Sequence, residues 1–468
     1  MTAKSKLKLN HYDIHGLVLC FLTLAMTIIL PHLTSASGLL TLLVVSSATL
    51  LVYGAFLTKR EGDASLILLY PVILSAFQNV FIGMVSPDLD QFNTQVLLSI
   101  NYFVTIEITA LLVILNKKSG ITKWFLAILL IIIGYSIVLL PFNVPTLASY
   151  IACFRNITSP MVFFIFGYCF RTKVNKNRFL KMCLVVFVIV IAFGIFELYF
   201  YSDFWINNHI DSLWENKGFS VEVWGLPANF YSSEKIGGSQ IRRMVSTFAD
   251  PVNLGTFLFC GFMIAWYCKK KFLTILILIA CILTVSKGAL LGLIIFVLVY
   301  SFFIPKTKFL FIASIIGGAA VSIAFLAYSS ANSTGSTFAH ISGLLSSFAG
   351  IFENPIGFGI GNVGVLATYL GQNMNSAVIE TGLGAVVSQL GLIGLIVYLI
   401  VFARFTKLGY TRKRNRERVL IITLVFAIFV NILFNEVALS PNSSALYFII
   451  IGLFTYGRSK NVKYLYLV

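Results

Sequence analysis

The chain has 468 residues, of which 58% are hydrophobic and only 11% charged, and its mean hydropathy is +0.93. A water-soluble globule needs far more polar surface, and the long uncharged runs without a glycine period also exclude disordered, coiled-coil and collagen-like chains. What remains is an all-α polytopic membrane protein, one transmembrane domain over 1–468, whose net charge of +17 needs a topological explanation first.

Apolar stretches follow one another at 14–30, 39–57, 66–85, 94–115, 124–140, 150–170 and 182–200, then at 251–268, 272–286, 288–304, 309–328, 378–403, 419–440 and 442–457. They predict about fourteen helices. The first stretch is followed by PHLTSASG rather than a small-residue cleavage site, so it reads as an uncleaved helix. With a basic N-terminus inside, every second connection faces the cytoplasm, and 28 of the 34 Lys and Arg residues fall in those connections and the two termini. The basic charge is therefore mainly a topology signal, with both termini cytoplasmic, and nucleic acid is not an expected partner. The seven cysteines lie in the predicted helices or at their ends, without a C-x-x-C pair, so neither disulfides nor a metal site is expected of them.

Two outer segments are long, 201–250 and 329–377. Polar chemistry concentrated in two large loops on one face points to an outward-facing site rather than to a transporter with ionisable groups at mid-membrane.

Six basic residues oppose the orienting bias: Arg155, Lys217, Lys235, Arg242, Arg243 and Lys287. Lys217 and Lys235 sit among Glu215, Glu222 and Glu234 and read as solvated loop charges. Arg242 and Arg243 precede Asp250-Pro251, which reads as an N-cap with proline at the first helical position. Two guanidinium groups near that helix start suit a phosphate or diphosphate, or alternatively lipid headgroups. Lys287 lies in TVSKG, only about fifteen residues or roughly 22 Å of helix from the inner Lys269–Lys271 cluster, short of a hydrocarbon core of about 30 Å. A lysine at that depth needs a polar cavity or an anion, unless it snorkels to the headgroups. Arg155 is either paired with Glu197 or a third anion contact.

In the second loop, Phe338, Ile341, Leu344, Leu345, Phe348, Ile351 and Phe352 keep helical spacing. The pattern predicts an amphipathic helix capped near Ser336 or Thr337 and stopped by Asn354-Pro355, with His340 pointing away from its buried face. A neutral imidazole placed there can accept a proton from a hydroxyl. GFGIGNVG, with Gly357, Gly359, Gly361 and Gly364, reads as a tight turn rather than an anion nest. The aspartates of DLD at 88–90 form too short a match for a metal site.

Four segments in order, RRMVSTFADPVNLG (242–255), TVSKGALLG (284–292), HISGLLSSFAGIFENPIGFGIGNVG (340–364) and IETGLGAVVSQLGLIGL (379–395), resemble the O-antigen polymerase and ligase superfamily, over about 240–400. The resemblance implies a glycosyltransferase bundle of the GT-C kind in the bacterial plasma (inner) membrane, acting without a cofactor on undecaprenyl-diphosphate-linked glycans at the outer face. Its expected partners are those glycans, membrane lipids, a chain-length regulator and a flippase. Carried over, Arg242, Arg243 and Lys287 would stabilise the leaving diphosphate and His340 would take the acceptor's proton. Arg155, Asp250, Asn253 and Glu380 would contact substrate, Asp250 and Glu380 being the other candidate bases. Lysine replaces the more usual arginine at 287, which weakens a bidentate role, and Asn253 stands one residue later than the common D-P-N. A repeat-unit polymerase for O-antigen, capsule or exopolysaccharide is the leading expectation. A ligase that hands the same donor to a lipid or protein acceptor, and a flippase or transporter of lipid-linked oligosaccharides, are the alternatives.

Overall fold

A computed structural model describes residues 11–35, 37–58, 63–115, 120–219, 225–236, 239–304, 308–332, 336–370, 379–412 and 414–455. The polypeptide runs through α1 (His11–Ile29), α2 (Ser37–Thr58), α3 (Ser65–Val85), α4 (Gln91–Leu115), α5 (Gly120–Leu139), α6 (Leu147–Phe170) and α7 (Lys176–Tyr199). The first large loop follows, with α8 (Phe204–Asn207), α9 (Ile210–Glu215) and an antiparallel hairpin of β1 (Tyr231–Ile236) and β2 (Ser239–Arg242). Next come α10 (Pro251–Tyr267), α11 (Lys271–Leu283), α12 (Lys287–Phe303) and α13 (Lys308–Asn332). The second loop contains α14 (Ser336–Glu353) and α15 (Val365–Leu370), and α16 (Gly382–Tyr410), α17 (Asn415–Phe434) and α18 (Pro441–Leu453) complete the bundle.

Among the described residues, eight helices are long and apolar enough to cross a membrane, and six further apolar helices are shorter. Each apolar stretch in the sequence coincides with one of these helices. The chain is thus an all-α polytopic membrane protein. The terminal basic segments at 1–10 and 456–468, Glu222 and residues 333–335 and 371–378 lie outside the described residues.

The centre of the bundle is α6 crossing α18, all of whose residues from Pro441 to Leu453 are buried. Two glycines make that crossing possible. A Cβ added at Gly167 would stand 2.2 Å from the Ile449 carbonyl oxygen, and one at Gly452 would stand 2.2 Å from that of Phe164. Lipid tails are as apolar as leucine, so such helices associate through close backbone approach rather than through burial of apolar bulk. Large aromatic side chains such as Phe125, Phe163, Phe164 and Phe166 fill the interior, while other large apolar side chains, among them Phe21, Leu130, Phe272 and Ile316, face outward and are exposed.

The α11–α12 connection places the chemistry. With 13 residues, α11 rises about 20 Å, well short of a core about 30 Å thick. The chain turns at Thr284–Ser286, with Val285 at a φ of 47°, and restarts at Lys287. Two helices, not one merged span, therefore occupy 271–303.

The hairpin was not expected from the sequence, although Gly237-Gly238 between two short runs is a hairpin signal. Its strands are short and polar, and β2 is largely exposed without the alternation that marks a half-buried strand.

Candidate active site

Asp250 caps α10 as its sequence implies. One carboxylate oxygen accepts hydrogen bonds from the backbone N–H of Val252 at 2.8 Å and of Asn253 at 3.4 Å, and the other accepts from the Asn253 amide at 2.9 Å. Pro251, with no N–H to satisfy, opens the helix. Burial raises the Asp250 carboxyl above its ordinary range, against the pull of the Val252 N–H and of the Lys217 and Arg243 charges.

Arg243 is 9% exposed and anchors this helix start to the α11–α12 turn. Its guanidinium donates to the carbonyls of Thr284 (2.8 Å), Val285 (3.3 Å) and Asn229 (3.1 Å). The backbones touch as well, Met244 N–H donating to the Leu283 carbonyl at 3.0 Å. A Cβ on Gly255 would meet the Ser286 Cβ at 2.4 Å, so the first turn of α10 lies directly against the turn that presents Lys287.

Arg242 is committed elsewhere. It donates to Glu197 at 3.2 Å and lies over the Phe230 ring. Glu197, fully buried, also accepts from the N–H groups of Val245 (2.9 Å) and Ser246 (3.2 Å). This corrects two expectations. The carboxylate offered as a partner for Arg155 belongs to Arg242, and the Arg242-Arg243 pair is tied to protein groups rather than presented together as an anion clamp. A buried carboxylate needs a cation and donors, and Arg242 with two backbone N–H groups supplies them.

Lys287, His340 and Glu380 come together from α12, α14 and the approach to α16. The His340 Nδ1 lies 3.1 Å from the Glu380 Oε2, with the two side chains 21% and 35% exposed. Burial first, then the Lys287 charge, push the imidazole down to about 4, and hydrogen bonding at Glu380 opposes the change. Burial raises the Glu380 carboxyl while Lys287 lowers it. His340 is thus neutral at physiological pH, between a carboxylate and an ammonium.

The face that α14 buries is mixed rather than purely apolar. Leu344, Phe348 and Ile351 of the apolar stripe pack against the core as expected, but Leu345 is 64% and Phe352 91% exposed, while Gly343 and Ser347 are buried and His340, expected to point away, is largely covered. Ser347 packs against α16, where a Cβ on Gly384 would reach its hydroxyl at 2.8 Å. The helix does begin at Ser336 and end at Glu353, before Asn354-Pro355.

A second group forms around Lys217, which is not a solvated loop charge. It is half-buried, its ammonium stands 5.5 Å from the centre of the Trp214 ring, and it lies within electrostatic reach of Asp250 and Arg155. Burial, against the pull of the Asp250 charge and with a smaller push from Arg155, brings it down to about 8. Lys235 is exposed, as expected. Arg155 is 6% exposed and donates to the Ser99 hydroxyl at 3.0 Å and the Asn156 side-chain oxygen at 3.3 Å.

The two large loops meet over this region. Gly218 packs on the Tyr369 backbone, where a Cβ would stand 2.5 Å from the carbonyl oxygen, and the Phe219 and Tyr369 rings are 4.7 Å apart. The glycine segment is a turn: Gly357, Gly359, Gly361 and Gly364 all have positive φ. The N–H groups of Gly359 and Gly361 are taken by the Gln389 backbone and side-chain oxygens. One functional-looking residue escaped the sequence reading. Glu436, 4% exposed, accepts the Val365 N–H at 2.7 Å at the start of α15, and burial pushes its carboxyl up to about 8. Nothing local marks it, because its partner is 71 residues away. Asp88 lies 3.0 Å from the exposed His32, and Asp90 accepts the Asn93 N–H, which accounts for both aspartates of DLD.

No family model matches this chain, and neither a characterised protein nor a solved structure gives a match. The site is therefore read from its own chemistry. It combines a neutral imidazole in contact with a carboxylate, the charge of Lys287 acting on both, and a second cationic group of Arg155 and Lys217.

Proposed function

We propose that the chain is a glycosyltransferase of the plasma membrane that polymerises undecaprenyl-diphosphate-linked repeat units at its outer face. The bundle would be of the GT-C kind with about fourteen spans, needing no cofactor. The observation that carries the reading is the His340–Glu380 contact at 3.1 Å with the Lys287 charge acting on both groups. In this reading the acceptor hydroxyl attacks the anomeric carbon of the donor. A C–O bond forms there, the bond to the diphosphate oxygen breaks, and its electron pair leaves with undecaprenyl diphosphate. The hydroxyl proton passes to the His340 nitrogen remote from Glu380. Lys287 faces the charge that grows on the departing diphosphate. Arg243 acts one step away, by fixing the turn that carries Lys287, and Arg242 supports it through Glu197.

The same arrangement makes a conditional base. An anion beside Lys287 cancels the charge that holds His340 at low basicity, so the imidazole gains proton affinity when the diphosphate is bound. Purified protein given lipid-linked repeat units alone should produce a ladder of longer glycans. Lys287→Ala and His340→Ala should each abolish it while the protein stays folded in the membrane. Transfer only to an added lipid or protein acceptor would make the chain a ligase. Movement of labelled substrate across proteoliposomes without a new glycosidic bond would make it a flippase. A wild-type ladder from both variants would remove the mechanism. A chain-length regulator and a flippase for the donor are the partners this reading requires.

A further inference from the structure

Around Lys217 the protein leaves polar groups of both kinds without protein partners. Arg155 is 94% buried by its 6% exposure, yet its hydrogen-bond partners are the neutral Ser99 and Asn156. Among the described residues no carboxylate is within ion-pair distance of Arg155 or Lys217. The nearby Asp250 is occupied in capping α10. The Trp214 indole N–H, on the residue that stacks under Lys217, is buried and donates to no protein group. Among the buried amide oxygens that accept nothing are that of Asn253, whose NH₂ is fixed on Asp250, and that of Gln95, one turn before Ser99 on α4.

These groups have a definite chemical complement. A buried and a half-buried cation without a carboxylate of their own are costly unless an anion joins them. A diphosphate offers only acceptors at neutral pH, so it could use Arg155, Lys217 and the Trp214 N–H but would leave the oxygens of Asn253 and Gln95 unpaired. A sugar acid offers both, an anionic carboxylate and ring hydroxyls that donate. We propose that Arg155, Lys217, Trp214, Asn253 and Gln95 form a subsite for a sugar bearing a carboxylate, so that the glycan handled by this protein is acidic. The assignment of that sugar to a lipid-linked repeat unit rests on the polymerase reading; the binding chemistry does not.

The test uses the full chain in nanodiscs and a panel of glucuronate, galacturonate, mannuronate, N-acetylneuraminate, N-acetylglucosamine and inorganic pyrophosphate, read by saturation-transfer NMR and competition. At least one acidic sugar should bind, N-acetylglucosamine should bind at least tenfold more weakly, and added salt should weaken only the acidic ligand. Loss of one charge-assisted contact in Lys217→Gln should cost about 10- to 100-fold. Lys217→Arg, which keeps the charge, should bind nearly as wild type, and Trp214→Phe, which keeps the ring and removes the N–H, should weaken the acidic sugar alone. Equal binding of acidic and neutral sugars, binding of pyrophosphate without any acidic sugar, no sugar binding at all, or indifference to Lys217→Gln overturns the proposal. The two readings fail separately. Acidic-sugar binding without any glycosidic bond formed from lipid-linked donors sinks the polymerase and leaves the subsite. A neutral repeat unit polymerised at full rate by Lys217→Gln sinks the subsite and leaves the polymerase.

Discussion

Replacing Lys287 by methionine removes a positive charge while keeping most of the side chain's length. In the wild type, burial first and Lys287 second hold His340 at about 4 instead of its ordinary 6.5, which corresponds to about 3 kcal/mol against the imidazolium at about 1.4 kcal/mol per pH unit. Lys287 is the smaller of the two lowering causes, so its removal should move the His340 midpoint upward without returning it to the ordinary value. Stability carries the same signature. Between about 4 and 6.5 the unfolded chain binds more protons at this residue than the folded one. The contribution is therefore complete above 6.5 and lost as the pH falls through the folded value. Glu380 works the other way: its raised carboxyl makes the folded chain hold the proton longer, so its contribution falls as pH rises above the ordinary carboxylate range. Because these windows overlap with opposite signs, the clean measurement is the imidazole itself. Histidine-labelled protein, with five histidines to resolve and His340→Gln to assign the signal, gives the midpoint by NMR. A wild-type midpoint near 6.5, or an unchanged midpoint in Lys287→Met, refutes the electrostatic coupling.

Removing the buried Glu197 by Glu197→Ala leaves Arg242 without a carboxylate and the Val245 and Ser246 N–H groups without their acceptor and should cost about 3–5 kcal/mol of stability, seen as a lower thermal unfolding temperature in detergent. Arg243→Lys keeps the charge but cannot hold three carbonyls in fixed geometry, so it should reduce both stability and transfer, with fluorescence thermometry and the ladder assay declining together. Gly391→Ala places a Cβ 2.1 Å from the Pro355 carbonyl oxygen at a φ of 60°, so the 355–361 segment should detach from α16 and become sensitive to limited proteolysis; unchanged protease resistance would contradict that packing.

The spans were legible because uncharged apolar stretches leave little freedom in a bilayer. The Asp250 cap and the α11–α12 turn were legible for the same kind of reason, since Asp-Pro and a short helix ending in TVSKG are local signals. The partners of the charges were not. Glu197 and Arg242 are 45 residues apart, a folded loop brings Lys217 within electrostatic influence of Asp250, and no spacing rule connects them. The mixed burial of α14 has a specific cause. Reading an apolar stripe as the whole buried face assumes that water lies on the other side, and that assumption fails beside lipid. Gly343 and Ser347 permit close approach to α16, so they pack together with Leu344, Phe348 and Ile351, and Leu345 and Phe352 are left exposed. The sequence did bring His340 into consideration, but as a side chain pointing away from the packed face rather than one covered beside Glu380.

The six cations that oppose the topological bias divide by what neutralises them. Arg242 has Glu197, Arg243 has three carbonyls, and Lys235 has solvent. The other three, Arg155, Lys217 and Lys287, are buried or half-buried near two carboxylates, Asp250 and Glu380. Each of those carboxylates already serves another group, the α10 N–H groups or His340. Burial raises both carboxyls. In the proposed reading an anionic substrate completes the charge balance of this region, and the distinct surroundings of Lys287 and Lys217 suit a substrate with two separate anionic groups.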